Sequence, residues 1–315
     1  MPDDMHITVG VPVYQSWDFV AETLHSLQKQ TYPNFTALIS VDGGDERSAD
    51  ACRPFLTDSR FVLQVQQEQL GWAANINWLL ARADRAFFCY LQHDDVIEPA
   101  YFEALAAAAT KHPEAAVCYT DLTWIGGKEG FEAQPSLTGT ALERTRAQLD
   151  RINWIPFRGI IRHSAVRAAG PLRLDEHDSY AEDVVWLTKI ARSGDFIRVP
   201  QMLYFKRAHP ENTHGRWFRW GHAERRGAWI AFCIALLDAA LPSASTDAER
   251  LELARLVFNR LVGQTREPPL FRAATPQEHE QLVRDFFARA EAQHLCRMRE
   301  DPATKRRIVT FPFRR

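Results

Sequence analysis

Between Ile7 and Thr120, short apolar runs alternate with stretches of helical periodicity, and this alternation most narrows what the chain can fold into. Ile7 to Val13 is rich in β-branched residues and reads as a strand leaving a sheet at Pro12-Val13-Tyr14-Gln15. Ser16 is placed to cap a helix in which Phe19, Val20, Thr23, Leu24 and Leu27 share one face, until Tyr32-Pro33-Asn34 breaks it. Thr36 to Val41 predicts a second strand, stopped by Asp42-Gly43-Gly44-Asp45, and Phe61 to Val65 a third. Gly71 opens a helix through Ala83, and Ala86 to Leu91 has the aromatic, apolar character of a buried central strand. An Ala-rich helix from Pro99 to Lys111 and a strand from Ala116 to Thr120 continue the pattern. Strands and helices in strict alternation predict βαβ units: an α/β, Rossmann-like, mostly parallel sheet flanked by helices.

Beyond Thr120 the signals are more scattered. Gly126 to Leu137, rich in Gly, Pro and Ser, reads as a mobile flap. Arg158 to His163, Phe196 to Val199 and Met202 to Lys206 read as strands, and Ser179 to Ser193 as a helix stopped by Gly194. From Arg216 the character changes to three helical patterns, Trp217 to Leu241, Thr246 to Val262 and Gln277 to Met298. A boundary near residue 215 therefore divides an α/β domain, 1–215, from a C-terminal helical region, 216–315.

Composition excludes several classes. With 38 basic and 40 acidic residues the net charge is −2, which gives no whole-chain attraction to nucleic acid. The exception is a basic tail containing Lys305, Arg306, Arg307, Arg314 and Arg315. The five cysteines, Cys52, Cys89, Cys118, Cys233 and Cys296, show no Cys-x-x-Cys spacing, so neither a zinc knot nor a disulfide framework is expected. The acidic start Met1-Pro2-Asp3-Asp4 is not a signal peptide, and no apolar run reaches the roughly 18 residues of a membrane span. A soluble chain in a reducing, cytoplasmic compartment is the expectation.

The candidate chemistry sits where strands end. Asp94 and Asp95 follow the Ala86 to Leu91 strand, and ligands of open α/β sheets collect at such ends. Two adjacent carboxylates suit a hard cation such as Mg²⁺ or Mn²⁺ carrying phosphates; a solvated acidic turn is the plainer alternative. Asp42, followed by two glycines, could accept hydrogen bonds from a base or ribose, or could simply close a turn. No Gly-x-Gly-x-x-Gly follows the first strand and no Walker lysine loop exists, which argues against nicotinamide dehydrogenases and P-loop NTPases. Ser179-Tyr180-Ala181-Glu182 fits a capping box, which accounts for Glu182 but not for Asp183, about 100° further round the helix. An ionised carboxylate there suits a base acting on a hydroxyl. His209 and His214 lie in a polar stretch after a strand, either as surface residues or touching phosphate.

Taken in order, these pieces resemble the family-two inverting glycosyltransferases with the GT-A fold, over Ile7 to His214. The resembling stretches are Val11-Pro12-Val13-Tyr14, Gln28 to Pro33, Val41 to Asp45, Gly71 to Asn75, His93-Asp94-Asp95, Gly159 to Gly170, and Glu182-Asp183. The resemblance implies a nucleotide-diphosphate sugar donor bound by Pro12, Val13, Tyr14, Asp42, Gly71, Asn75, His93 and Asp94. It implies Mn²⁺ or Mg²⁺ on Asp95, with His209 as a second candidate ligand, and Asp183 as the general base. Glu182, Arg158 and Trp186 are assigned to the acceptor side, where a glycan, a lipid-linked sugar or another hydroxyl would bind.

Two departures stand out: Gly43 where many members carry a second acid, and His93 at the first position of the Asp-x-Asp-like motif. The processive Gln-x-x-Arg-Trp is absent, so single transfers in bacterial glycan or glycoconjugate synthesis are expected. The rival reading is a non-catalytic nucleotide-sugar-binding scaffold. A nucleotidyltransferase would want a basic phosphate-gripping loop where Gln15-Ser16-Trp17-Asp18 stands. Residues 216–315 could supply an acceptor site, a homodimer contact or a peripheral contact with the inner face of the membrane. For the last, Trp217, Phe218 and Trp220 with Arg216, Arg219, Arg225 and Arg226 form an aromatic-basic patch; packing onto the rest of the chain is the alternative.

Overall fold

In the computed structural model, residues 5–209, 217, 219–266, 269–301 and 307–312 are described. The β-branched run at the start forms β1 (Ile7–Val13), every residue of it buried, followed by α1 (Val20–Gln28) and β2 (Phe35–Val41). Next come α2 (Glu46–Cys52), β3 (Phe61–Val65), α3 (Trp72–Leu80), β4 (Phe87–Tyr90), β5 (Val96–Ile97) and α4 (Tyr101–Lys111). After them run β6 (Ala115–Gly126), β7 (Phe131–Glu132), α5 (Ala141–Asp150), β8 (Ile160–Arg162), α6 (His163–Ala169), α7 (Glu182–Ile190) and β9 (Asp195–Ala208). The chain continues through α8 (His222–Ala240), α9 (Asp247–Leu261), α10 (Pro276–Ala292), β10 (Arg297–Glu300) and β11 (Arg307–Thr310).

The sheet order is β3-β2-β1-β4-β8-β6-β9-β5, with β7 added to β6. The pairs β1/β2, β2/β3, β1/β4 and β6/β9 are parallel, while β8 runs antiparallel to both β4 and β6. This is the mostly parallel, helix-flanked sheet of the GT-A fold. Because β2 and β4 lie on opposite sides of β1, the chain order reverses there, and a crevice at the strands' carboxyl ends follows.

Contacts divide the chain into two compact units. The first holds residues 1–139, 153–174 and 193–212; the second holds 140–152, 175–192 and 213–315. The helical unit thus differs from a single cut near 215: it also claims α5 and α7, and with them Glu182 and Asp183. Arg144 on α5 shows one reason, since its buried Nε donates to the Ala191 carbonyl at the end of α7, 2.7 Å away.

Several local expectations change. Ser16 does not cap α1; its hydroxyl donates to the His93 carbonyl, and Phe19 takes the capping position without a side-chain bond. The Gly126 to Leu137 stretch is no free flap. The Trp124 amide donates to the Gly130 carbonyl at 2.8 Å, β7 pairs with β6, and the Tyr119 hydroxyl holds the carbonyls of Gln134 and Pro135. The two strands read around Pro200 are one strand, β9, whose register slips opposite Thr120 and Asp121. Proline has no amide hydrogen for a ladder and is tolerated at such irregularities.

In the second unit, α8 together with the turn to Ser243 is long and apolar enough to cross a bilayer by length and composition, yet 61% of that window is buried. Trp217 and Trp220 pack on Tyr180, and Arg226 pairs with Asp285, so these members of the aromatic-basic patch turn inward. Arg216, Phe218 and His214 lie outside the described residues, as do Lys305, Arg306, Arg314 and Arg315 of the tail. Two short strands, β10 and β11, follow where only helix was expected. All five cysteines are buried and free.

Candidate functional site

In the first unit, hydrogen bonds from the strand ends build one constellation. The His93 ring places Nδ1 2.8 Å from the Pro12 carbonyl, which can only accept, so this nitrogen carries the proton. The bond ties the end of β1 to the turn after β4. On the other side the Thr23 hydroxyl of α1 lies 2.8 Å from the carbonyls of both His93 and Asp95. Gln30, buried at the end of α1, donates to the Glu98 carbonyl and accepts from the Phe102 amide, fixing the exit of the same turn.

The two acids of that turn have different surroundings. Asp95 is fully buried. Its Oδ2 accepts from the Tyr204 hydroxyl at 2.6 Å and its Oδ1 from the Arg207 amide at 2.8 Å, while Arg158 Nε lies 3.8 Å away. Burial pushes its carboxyl above the usual range, against the pull of Lys206 and Arg158. With no solvent face and both oxygens engaged, Asp95 ties the turn after β4 to β9.

Asp94 is the acid beside an imidazole. Its Oδ2 is 2.9 Å from His209 Nε2, and the His209 ring packs 5.0 Å from that of Phe19. Burial alone would raise the Asp94 carboxyl, but the His209 hydrogen bond and the nearby charges of His93 and Lys206 hold it below the usual carboxylate range. Arg207 braces this turn: its Nε donates to the Asp94 carbonyl, and its guanidinium pairs with Glu22 on α1.

At the end of β2, Asp42 is buried and accepts from the amides of Leu70 at 2.6 Å and Gly71 at 2.9 Å. It thereby draws the start of α3 to the mouth of β1 and β2. Tyr14 and Leu70 are exposed apolar side chains on this side, at 36% and 38%. Gly71 has φ of +81°, natural for glycine alone. Gly43 has its own reason: a Cβ there would meet the Glu68 carbonyl carbon at 2.2 Å. The Glu68–Gln69 backbone thus leaves no room for a side chain at Gly43. Gly43→Ala should lower stability by about 1–3 kcal/mol, as overpacking does, a loss readable in a denaturant titration.

Other expected site residues are placed elsewhere. Asn75 is buried, donating to the Ser40 carbonyl and accepting from the Ser40 hydroxyl, so it pins α3 to β2. Arg158, expected on the acceptor side, is a buried neighbour of Asp95 lying over the Trp154 ring. In the second unit Trp186 and Glu182 are buried too, at 1% and 0%. Nor does the capping box form: Ala181 takes the capping position in a left-handed conformation with no side-chain bond. Asp183 is half-buried, with the Val184 amide donating to its Oδ1.

The sequence reading missed Tyr204, Lys206 and Arg207. The available signal was the period of two in β9, where Tyr204 and Lys206 share a face. A lysine on an inward face implies an acid to meet it.

Comparison with known proteins identifies the family and the fold. The family model described as glycosyl transferase family 2 matches residues 8–166, just over half of the sequence. The chain belongs to glycosyl transferase family 2. It is 32% identical over 102 residues to the glycosyltransferase GlyA of Streptococcus pneumoniae, covering 32% of this chain and 15% of that one. It is 28% identical over 94 residues to WfgD of Escherichia coli, a UDP-Glc:alpha-D-GlcNAc-diphosphoundecaprenol beta-1,3-glucosyltransferase, covering 30% of this chain and 37% of that one. The matches span 33% of GlyG of S. pneumoniae and 33% of EpsH of Bacillus subtilis, so the similarity covers a third or less of these first curated relatives. Among solved structures, TarS of S. aureus in complex with UDP-GlcNAc superposes with a TM-score of 0.72 at 16% identity, covering 89% of this chain and 80% of that one. At that identity the likeness speaks for the fold.

Proposed function

We propose that this chain moves a single sugar from a nucleoside-diphosphate sugar to an acceptor hydroxyl, with inversion and with the help of a divalent cation, in bacterial glycan or glycoconjugate synthesis. The observation that carries the reading is the Asp94–His209 pair at the carboxyl end of β4, beside the point where the strand order reverses. Carboxylate and imidazole are both ligands of Mn²⁺, and such ions complete their shells with substrate phosphates. Asp94 and His209 would hold Mn²⁺ or Mg²⁺ there. The cation would offset the negative charge growing on the departing diphosphate.

The chain's own groups do the rest. The shelf formed by Tyr14, Leu70 and the Asp42 loop would receive the base, and His93, fixed to Pro12, keeps the acid turn in register with it. Asp183 would accept the acceptor's hydroxyl proton while that oxygen bonds to the anomeric carbon and the bond to diphosphate breaks. Attack in line with the leaving group inverts the centre. UDP-sugar use by WfgD, the UDP-GlcNAc complex of TarS, and a Pyrobaculum calidifontis mannosyltransferase bound to GDP-Man and Mn²⁺ support this class of donor and cation.

A thermal-shift panel of UDP, UDP-glucose, UDP-GlcNAc, GDP and GDP-mannose, with and without Mn²⁺, tests it. One nucleotide should stabilise the chain more with Mn²⁺ than without it, its total stabilisation reaching about 2.7 kcal/mol at a hundredfold excess over Kd. Asp94→Asn should remove that increment. An increment that survives Asp94→Asn would overturn the cation site, and donor binding without release of nucleoside diphosphate would favour the scaffold reading.

A further inference from the structure

Immediately before Asp183 the backbone is unusual. Asp178, Ser179 and Ala181 have φ of +53°, +51° and +50°, so three non-glycine residues within four positions occupy the left-handed region. Such conformations are costly for side chains with a Cβ and persist only where the surroundings impose them. Local bonds supply part of the constraint: Asp175 Oδ1 accepts from the amides of His177 and Ser179. Backbone bonds from the Tyr180 amide to the His177 carbonyl and from the Val184 amide to the Ala181 carbonyl carry the turn into α7, while the Tyr180 side chain is held from outside the turn.

Two side chains of the segment are seated on α8 and its approach. The Tyr180 ring meets Trp217 edge-on with centroids 4.8 Å apart, Phe232 of α8 edge-on at 5.5 Å, and Trp220 at 6.4 Å. Edge-to-face contacts of this kind fix a ring's orientation as well as its position. One turn earlier, the His177 ring lies against Gly227, where a Cβ would come within 2.9 Å of its Cε1. Gly227 stands inside a helix of 19 residues, where glycine is ordinarily a poor choice. The ring it admits explains it.

We propose that the C-terminal helical region presets the general base: α8 and the Trp217–Trp220 approach act as a bed that clamps His177 and Tyr180, and this clamp sets the left-handed segment that aims Asp183. Tyr180 and His177 are then positioning residues, and residues 213–315 have a role in the chemistry without touching substrate. The inference rests on Asp183 being the base. The Tyr180 hydroxyl, pushed up by burial and then by the charges of Cys233 and Asp183, lies within electrostatic reach of that carboxylate.

Gly227→Ala in the full chain is the deciding variant. Alanine favours a helix, so a purely structural glycine would tolerate it, whereas the clamp would lose its seat for His177. Two readouts are followed: amide hydrogen exchange over residues 175–184, and release of nucleoside diphosphate from UDP-GlcNAc, UDP-glucose and GDP-mannose with water as acceptor. Exchange in 175–184 should accelerate tenfold or more while α8 stays protected. The kcat should fall about tenfold, with KM and the Mn²⁺-dependent UDP shift changed less than twofold. His177→Ala, which empties the same seat from the other side, and Tyr180→Leu should each reproduce the loss without touching the glycine. Unchanged exchange in both Gly227→Ala and Tyr180→Leu overturns the clamp. If instead Asp183→Asn retains turnover, the base assignment fails, while the exchange measurement still decides whether α8 holds the loop.

Discussion

Asp183→Asn is expected to lower turnover about a thousandfold while leaving the nucleotide- and Mn²⁺-dependent thermal shift intact. The substitution is nearly isosteric, and its remaining carbonyl oxygen can still accept from the Val184 amide, as Asp183 Oδ1 does. The start of α7 and the turn before it should therefore persist. What disappears is the capacity to take a proton, so the loss should fall on kcat and not on donor binding. Glu182→Gln makes the natural contrast. That side chain is fully buried, so its replacement should act on Tm first and on catalysis only through it. Turnover within tenfold of the unmodified chain for Asp183→Asn would place the base elsewhere.

The two carboxylates of this motif show where sequence reasoning ran out. A capping box is a local pattern, and Ser179-Tyr180-Ala181-Glu182 satisfies it on paper. In the fold, Tyr180 is drawn into an aromatic cluster and Ala181 is forced left-handed, so tertiary contacts from far along the chain override the local bond. Strands β1, β2 and β4 were legible because buried parallel strands read as nearly continuous apolar runs. The hairpin of β10 and β11 was not, since Arg297-Met298-Arg299-Glu300 carries three charges in four residues and offers no apolar period. The helical unit was traced only in part. Helices α5 and α7 look like any amphipathic helix, and membership of a unit is a property of partners that no window reveals. Asn75, a donor contact by resemblance alone, has its side chain engaged by a serine on β2 that no local pattern announces.

The choice between Asp94 and Asp95 depends on Tyr204, Arg207 and His209, more than a hundred residues downstream, and it yields the other large prediction. Asp95→Ala should destabilise the chain without any ligand by about 3–5 kcal/mol. The Tyr204 hydroxyl and the Arg207 amide would lose their acceptor inside the protein, and the buried Arg158 guanidinium would lose a carboxylate 3.8 Å away. For a unit of this size the loss corresponds to a drop in Tm on the order of 10 °C. Asp94→Asn should show a different profile, with a smaller fall in Tm in the absence of ligand and no Mn²⁺ increment. The pair of variants separates two roles that the sequence sets side by side: one acid closing the turn from within, the other proposed to hold the cation. Were Asp95 the ligand, its removal would spare the ligand-free Tm and abolish the Mn²⁺ response. Two hydrogen-bond donors and a guanidinium 3.8 Å away, all on a carboxylate with no solvent face, argue for the reverse.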